Sequence, residues 1–313
     1  MNDVIVDVLL SVTKLRPEEK LLAAALRQQG KTVETILPAD LGKVVNSGLT
    51  QSTGLKGSGS TPTTPPARMG LIRNLSHQQA LQTARLLEYS GIPTLNRTSA
   101  IETCADKGLQ SVLFACHGIP HPEARLAFGF DQVRYACADF GWPAVVKPVS
   151  GSWGRGVSRM VNEECLDAWV GGRESADAAG KLFPVLVQQY IEKPGHDLRV
   201  VVVGDNAIAA IARSSDDWRT NTTLGATVRA CEITPAIRHL CKQVTDVLGP
   251  GFYGIDLIEN HKTGELMVLE VNANPEFAKS SQVHGVDVAG RLASHIATVL
   301  DQQTTPAPIL ART

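Results

Sequence analysis

Apolar and polar positions along the chain follow two rhythms, and these mark out the elements. Residues 4–10 form an apolar β-type run. Pro17-Glu18-Glu19-Lys20 then opens a helix. Proline suits a first turn, and the acids sit at the positive end of the helix dipole. Leu21, Leu22, Ala25 and Leu26 give this helix an apolar face, Gly30 ends it, and residues 31–37 read as the next strand. A β-α-β start predicts a small doubly wound domain. Residues 46–68 break the rhythm. Their Ser, Thr, Gly and Pro content cannot bury enough surface to order the backbone, which predicts a mobile surface loop.

Regular patterning resumes with a strand at 69–73, a helix at 78–89 and a short strand at 92–95; 96–103 reads as a linker. A helix is predicted over 105–116, starting at Asp106-Lys107. Strands follow at 144–147 and 157–160, a helix at 165–170, a loose polar segment at 171–180 and a buried strand at 183–191. Residues 198–203 and 207–212 form a hairpin over Gly204-Asp205-Asn206. A helix at 235–248, two strands, a helix at 288–300 and a tail containing Pro and Thr complete the chain.

Composition narrows the class. A chain of 313 residues suffices for two or three domains, and a net charge of −1 points to neither nucleic acid nor an anionic membrane. No apolar run approaches the ~20 residues of a membrane span. Asp3 and Asp7 mark the start as a first strand and not a signal peptide. Six cysteines without a Cys-x-x-Cys pair argue against zinc or a disulfide framework and for the cytoplasm. His117 and His121 have helical spacing, but Pro120 and Pro122 break the helix that would align them, so they read as loop residues.

Two stretches carry candidate chemistry. In the first, the strand 144–147 ends in Lys147-Pro148, and a flexible run follows: Ser150, Gly151, Ser152, Trp153, Gly154, Arg155, Gly156 and Val157. Small residues let backbone approach a ligand and aim successive N–H groups at one point, which suits a polyphosphate. An ordinary surface loop has the same composition, and the run lacks the Gly-Lys-Ser/Thr ending of a Walker loop. The second stretch is Tyr253-Gly-Ile-Asp-Leu-Ile-Glu259, a polar turn, then Leu266-Met-Val-Leu-Glu-Val-Asn272. A turn centred near Lys262–Thr263 sets Asp256 opposite Glu270, and alternation puts Asn272 on the same face. Two facing carboxylates repel, and a divalent cation resolves the repulsion. Magnesium takes one or two carboxylates together with substrate phosphates. Ile255, Leu257, Leu269 and Val271 are left for the core face.

Lys107 before a helix, Lys147 before the glycine loop, Gln188-Gln189-Tyr190-Ile191, and Asp256 with Glu270-x-Asn272 together resemble the ATP-grasp ligases. Leu15-Arg-Pro-Glu-Glu-Lys20, Gly151-Ser-Trp-Gly-Arg155, Trp218-Arg-Thr-Asn221 and Glu276-Phe277 are most similar to the LysX-type ligases of carrier-protein-based lysine and arginine biosynthesis. Two features depart from that pattern: the insert at 47–66, and Val271-Asn-Ala-Asn-Pro-Glu-Phe277, where Ala273 and Pro275 look more like the RimK-type glutamate ligases.

The resemblance implies an α/β (α+β) ATP-grasp fold. A pre-ATP-grasp domain would span 1–95, a central subdomain 96–187, a C-terminal subdomain 188–302 and a tail 303–313. It implies ATP held by Lys107, Lys147, the loop from Gly151 to Val157, the adenine strand Gln188, Gln189, Tyr190 and Ile191, and Asp197 at the ribose. Two Mg2+ ions would sit on Asp256, Glu270 and Asn272. Arg213, with Asn221 beside it, would stabilise the oxyanion and grip an amino-acid α-carboxylate; Arg199, Arg219, Arg229, Asn274, Glu276 and Phe277 would contact substrate. The implied reaction joins the α-amine of glutamate, α-aminoadipate or a related amino acid to the C-terminal glutamate side chain of a small acidic carrier protein. An acyl phosphate would be the intermediate and the enzyme a dimer or tetramer. A RimK-like ligase adding glutamate to a protein terminus, and a nucleotide-binding module without catalysis, stand as alternatives. The module predicts erosion of the lysines or the acidic triad, and all five residues are present.

Overall fold

A computed structural model describes residues 5–41, 67–151, 154–175, 182–215, 217, 218, 220 and 227–303. Its first sheet is parallel, in the order β2-β1-β3-β4. The strands are β1 (Val6–Val12), β2 (Val33–Ile36), β3 (Ala67–Arg73) and β4 (Thr94–Leu95). Helices α1 (Pro17–Gln28) and α2 (His77–Tyr89) supply the crossovers. Strand β3 starts two residues before the pattern placed it, because Ala67 pairs with Val6 and Arg68 forms an ion pair with Asp7 (3.0 Å). The rest of the loop expected at 46–68 lies outside the described residues. On α1 the apolar stripe is Leu22, Ala23, Ala25 and Leu26, whereas Leu21 is exposed.

The segment expected to link two regions is largely helical. Helix α3 spans Thr98–Ala105, and α4 (Lys107–Cys116) begins anew after Asp106, whose carboxylate accepts Leu109 N–H as an N-cap. Asn96, just ahead of α3, is buried. Its amide donates to the carbonyls of Phe252 and Ala273 and accepts from Phe252 N–H. Local propensity shows none of this, since the anchor is more than 150 residues away in sequence.

The second sheet, β5-β8-β6-β7, is antiparallel. It contains β5 (Ala124–Ala127), β6 (Ala144–Pro148), β7 (Ser158–Met160) and β8 (Val185–Gln189), with α5 (Phe130–Phe140) and α6 (Glu163–Glu174) packed on it. Two of these, β5 and α5, have no counterpart in the sequence pattern, and α6 runs through Gly171 and Gly172, read from sequence as loose. The boundary implied between residues 187 and 188 falls inside β8, whose residues pair in this sheet through Gln189.

The third sheet, β11-β10-β9-β12-β13, is also antiparallel. Hairpin β9 (His196–Gly204) and β10 (Asn206–Ser214) turns at Asp205. Strands β11 (Thr227–Ala230), β12 (Gly251–Glu259) and β13 (Leu266–Asn272) complete the sheet. Helix α7 (Pro235–Leu248) covers one face; α8 (Ala278–His284) and α9 (Val288–Gln302) follow β13. Val8 and Leu10 of the first sheet, Val201 and Val203 of the third, and Leu292 and Ile296 of α9 share one core, which fixes these two sheets together. Among the described residues, no helix is long and apolar enough to cross a membrane.

Candidate active site

One cleft of about 260 Å³ runs between the three sheets. Its walls carry the ends of β6 and β8, the start of α4, the 147–157 turn, the inner face of β9, β12 and β13, and the residues after β3.

On the hairpin, Asp256 pairs in register with Glu270, as the turn predicts. The next partner of Leu257 is Val268, so Leu269 is an extra residue on β13. A bulge of this kind turns the strand and re-aims its side chains. Leu269 therefore lines the cleft beside Glu270 instead of entering the core, and joins Ile191, Ile258 and Met267 in a small apolar cluster. The outer edge of β13 is held by the Gln110 amide, which accepts from Val271 N–H (2.7 Å) and donates to its carbonyl (3.3 Å), and by Val268 N–H donating to Pro120 O (2.8 Å).

Cations meet both carboxylates. Arg199 forms a two-pronged pair with Asp256, its Nη2 donating at 2.8 Å, and Arg213 Nη2 lies 3.2 Å from the same carboxylate. Burial disfavours the Asp256 charge, but Arg199 and Arg213 override it and hold the carboxyl below its usual range. Lys107 Nζ lies 3.1 Å from Glu270 and donates to Gly151 O (2.8 Å). A lysine in the first turn of α4 opposes the helix dipole, a local rule broken at a site. Lys147 is buried and donates to Gln188 Oε1 (2.9 Å). Burial pulls its ammonium down to about 8, Glu270 pushes it back up, and Lys107 adds to the fall. In the adjoining turn, Gly156 has φ +73°, and a Cβ there would sit 2.9 Å from Pro148 Cγ. Only glycine suits that close turn over β6.

Deeper on β9, Asp197 accepts from Arg213 Nε (2.7 Å) and from Thr220 Oγ1. Burial works against the Arg213 charge, but Asp256 and Asp197 outweigh it and raise the pKa above the ordinary arginine value. The guanidinium thus engages two of the protein's own carboxylates. At the mouth, the Arg159 guanidinium lies 5.6 Å from the Tyr190 ring centre and 5.5 Å from that of Trp218.

The cleft brings together Lys107, Lys147, Gly151, Gly154, Arg155, Val157, Gln188, Gln189, Tyr190, Ile191, Asp197, Arg199, Arg213, Asp256, Glu270, Asn272, Asn274 and Glu276. It leaves out Phe277. That ring is buried at the joint with the first sheet, edge-on to Phe252 (5.8 Å) and 5.7 Å from the Arg73 guanidinium, so it is a core residue and not a substrate contact. Gly156 shapes the turn without lining the cleft. Ser152, Trp153, Arg219 and Asn221 lie outside the described residues. Arg229 is exposed on β11.

A family model described as the RimK-like ATP-grasp domain matches residues 104–296. The chain belongs to the RimK-like ATP-grasp family. It is 35% identical over 218 residues to the alpha-aminoadipate–LysW ligase LysX of Saccharolobus solfataricus, covering 69% of this chain and 78% of that one. It is 30% identical over 292 residues to the glutamate–LysW ligase ArgX of Sulfolobus acidocaldarius, covering 92% and 97%. The fold matches the crystal structure of a RimK domain ATP-grasp protein from Sphaerobacter thermophilus with TM-score 0.71 and 26% identity, over 92% of this chain and 98% of that one. The protein is an ATP-grasp ligase, a class of enzyme that uses ATP and Mg2+.

The donor set on this ATP-grasp hairpin fits Mg2+. Asp256 and Glu270 face each other, and Asn272 adds an amide oxygen to the same wall, giving a set of hard oxygen donors. Sequence reasoning missed Arg16, Asn74, His77 and Lys193, which also line the cleft. Burial lowers the pKa of His77, Lys107 adds to the fall, and Glu270 opposes it. Arg16 had a signal of its own, because Leu15-Arg-Pro-Glu-Glu-Lys20 already stood out. His77 had none, since a histidine at a helix start is ordinary.

Proposed function

We propose that the enzyme joins the α-amine of an amino acid to a carboxylate of a LysW-type carrier protein, the side-chain carboxylate of a C-terminal glutamate. The observation carrying this reading is the single cleft in which two cationic side chains, Lys107 and Lys147, face the opposed acids Asp256 and Glu270. Its support is the 35% and 30% identity to ligases named for LysW.

Lys107 and Lys147 hold ATP by its phosphates and the 151–157 turn closes over them. Gln189, Tyr190 and Ile191 meet the adenine edge above the apolar cluster of Ile191, Ile258, Met267 and Leu269, and Asp197 lies at the ribose. Asp256, Glu270 and Asn272 would hold Mg2+, two ions in this reading, which would supply charge neutralisation at the phosphoryl oxygens. The carrier carboxylate attacks the γ-phosphorus, ADP leaves, and an acyl phosphate results. The amine then forms the N–C bond as the C–O bond to phosphate breaks, and its proton departs to solvent. Arg213, buried and permanently charged, stabilises the oxyanion of that second step. Arg199, bonded to Asp256 here, would receive the acidic tail. The proposed setting is the cytoplasm, in keeping with six free thiols.

Intact-mass measurement of a LysW-type protein after incubation with the enzyme, ATP, Mg2+ and L-glutamate or L-2-aminoadipate tests the proposal. One amino-acid residue should be added. Modification of a carrier lacking its terminal glutamate rejects the assigned carboxylate, and stepwise growth by several glutamates replaces the reading with the RimK-like one.

A further inference from the structure

The far end of the cleft holds two amide groups with complementary defects. Asn74, directly after β3, is 1% exposed. Its Oδ1 accepts from Ser11 Oγ (3.1 Å), and its Nδ2 has no hydrogen-bond partner. Asn274, two residues beyond the metal-site Asn272, donates from Nδ2 to the Asn74 carbonyl (2.8 Å), and its Oδ1 has no partner. Both residues line the cleft. A buried donor and a buried acceptor left unmatched cost the folded protein stability, and a ligand carrying one group of each kind removes both costs.

The neighbouring charge narrows the ligand. The Arg16 guanidinium is anchored to Glu19 through Nε (2.9 Å) and Nη2 (2.6 Å). Its Nη1 lies 3.5 Å from the exposed carboxylate of Glu276. A ligand carboxylate can take the place of Glu276 there. Asn274 follows Asn272 by two residues, at most about 7 Å of chain, so a head group at Asn274 lies within one small molecule's length of the metal end of the cleft.

We propose that Asn74, Asn274 and Arg16 form the head-group subsite for the acceptor amino acid. Asn74 Nδ2 and Arg16 Nη1 donate to its α-carboxylate, and Asn274 Oδ1 accepts one N–H of its amine. With that N–H held, the lone pair points to the acyl carbon, and the side chain is left to other walls. This assignment rests on the reading above that a free amino acid is the acceptor. It moves α-carboxylate recognition from Arg213 to the joint between the first and third sheets.

The test is calorimetric titration of the full chain, loaded with Mg2+ and ADP, with L-glutamate and L-2-aminoadipate, and with 4-aminobutyrate and 5-aminopentanoate, which lack the α-carboxylate. Asn74→Ala should weaken binding of the cognate amino acid at least tenfold, change binding of its decarboxylated analogue by less than threefold, and leave ADP affinity unchanged. Asn74→Asp, of the same shape, should do the same and guards against a folding defect in the alanine variant. Wild-type affinity for the amino acid in either variant overturns the subsite. So does an equal loss for amino acid and analogue, or failure of both amino acids to bind the wild type. The two readings fail separately. If the Asn74 variants behave as expected but no carrier gains mass, the proposed carrier is wrong and the subsite stands. If the carrier gains mass and the variants bind normally, the subsite alone is wrong.

Discussion

Two clusters of buried charge lie a few residues apart in this protein, and they are built differently. At the joint between the first and third sheets, Arg73 is fully buried against Glu18 and Glu19, at 3.4 and 3.1 Å, and donates to Pro275 O. Glu18 also accepts from the backbone N–H groups of Phe277 and Ala278, both at 2.7 Å. Backbone partners cannot swing away, so this cluster is permanent. In the cleft, Asp256 and Glu270 are met by Arg199, Arg213 and Lys107, side chains on flexible stems. Such partners are replaceable by a metal ion or a phosphate. The lesson is that burial and ion pairing alone do not separate a joint from a site; the attachment of the partners does.

Breaking the joint should give the largest effect. Arg73→Met leaves Glu19 with Arg16 alone and Glu18 with its backbone donors and a distant Arg16, and loss of one partner from a buried pair costs about 3–5 kcal/mol. For a chain of this size that predicts a fall in Tm of roughly 5–8 °C in scanning calorimetry. A change under about 2 °C would refute the structural role of the cluster. Glu270→Gln should show the opposite profile: Tm close to wild type, but ATP-dependent ligation reduced at least ~100-fold at saturating Mg2+. Turnover above about a tenth of wild type would remove Glu270 from the proposed metal site.

The replaceable cluster should also titrate. Lys147 has a pKa of about 8, against an ordinary value of 10.5. Between those values the folded chain binds fewer protons at Lys147 than the unfolded chain, so its contribution to stability rises with pH. If Lys147 holds the ATP phosphates as proposed, its ammonium is needed, and kcat/KM for ATP should fall as pH passes 8, by up to about tenfold per unit. Lys147→Arg should move that limb upward; an unshifted limb would assign it to another group. The smallest effect is expected at the rim of the joint. Glu276 is an exposed carboxylate 3.5 Å from Arg16, and Glu276→Gln should alter stability by less than about 1 kcal/mol, readable as an unchanged urea midpoint.

The same contrast governs what the sequence could show. Asp256 opposite Glu270 was legible because a short polar turn sets hairpin register locally, here with Asn260 Oδ1 accepting Lys262 N–H (2.9 Å) and Gly264 at φ +71°. The bulge at Leu269 was not, because Gln110 and Pro120 fix the outer edge of β13 from another part of the chain. Phe277 misled for the same reason. Its neighbours Glu276 and Asn274 line the cleft, while its own ring is claimed by Phe252 and Arg73 across the joint. Strand β5 and helix α5 carried too few consecutive apolar residues to stand out, and they are ordered by packing on β8 and β6.

The Asn96 anchor bears on which substitutions the chain can accept. Its amide supplies two donors and one acceptor to the backbone at Phe252 and Ala273. Aspartate, with the same shape, would turn an oxygen toward two carbonyls. Gly251 has no room for a Cβ, which would run into Asn96 Oδ1 and sit 2.6 Å from the Tyr253 ring. Positions 96 and 251 therefore do not drift separately. A smaller residue at 96 opens space at 251 while stripping the strand of its partners, so single-site effects at the two positions will not add, and a lineage that alters one must rebuild the other in the same step.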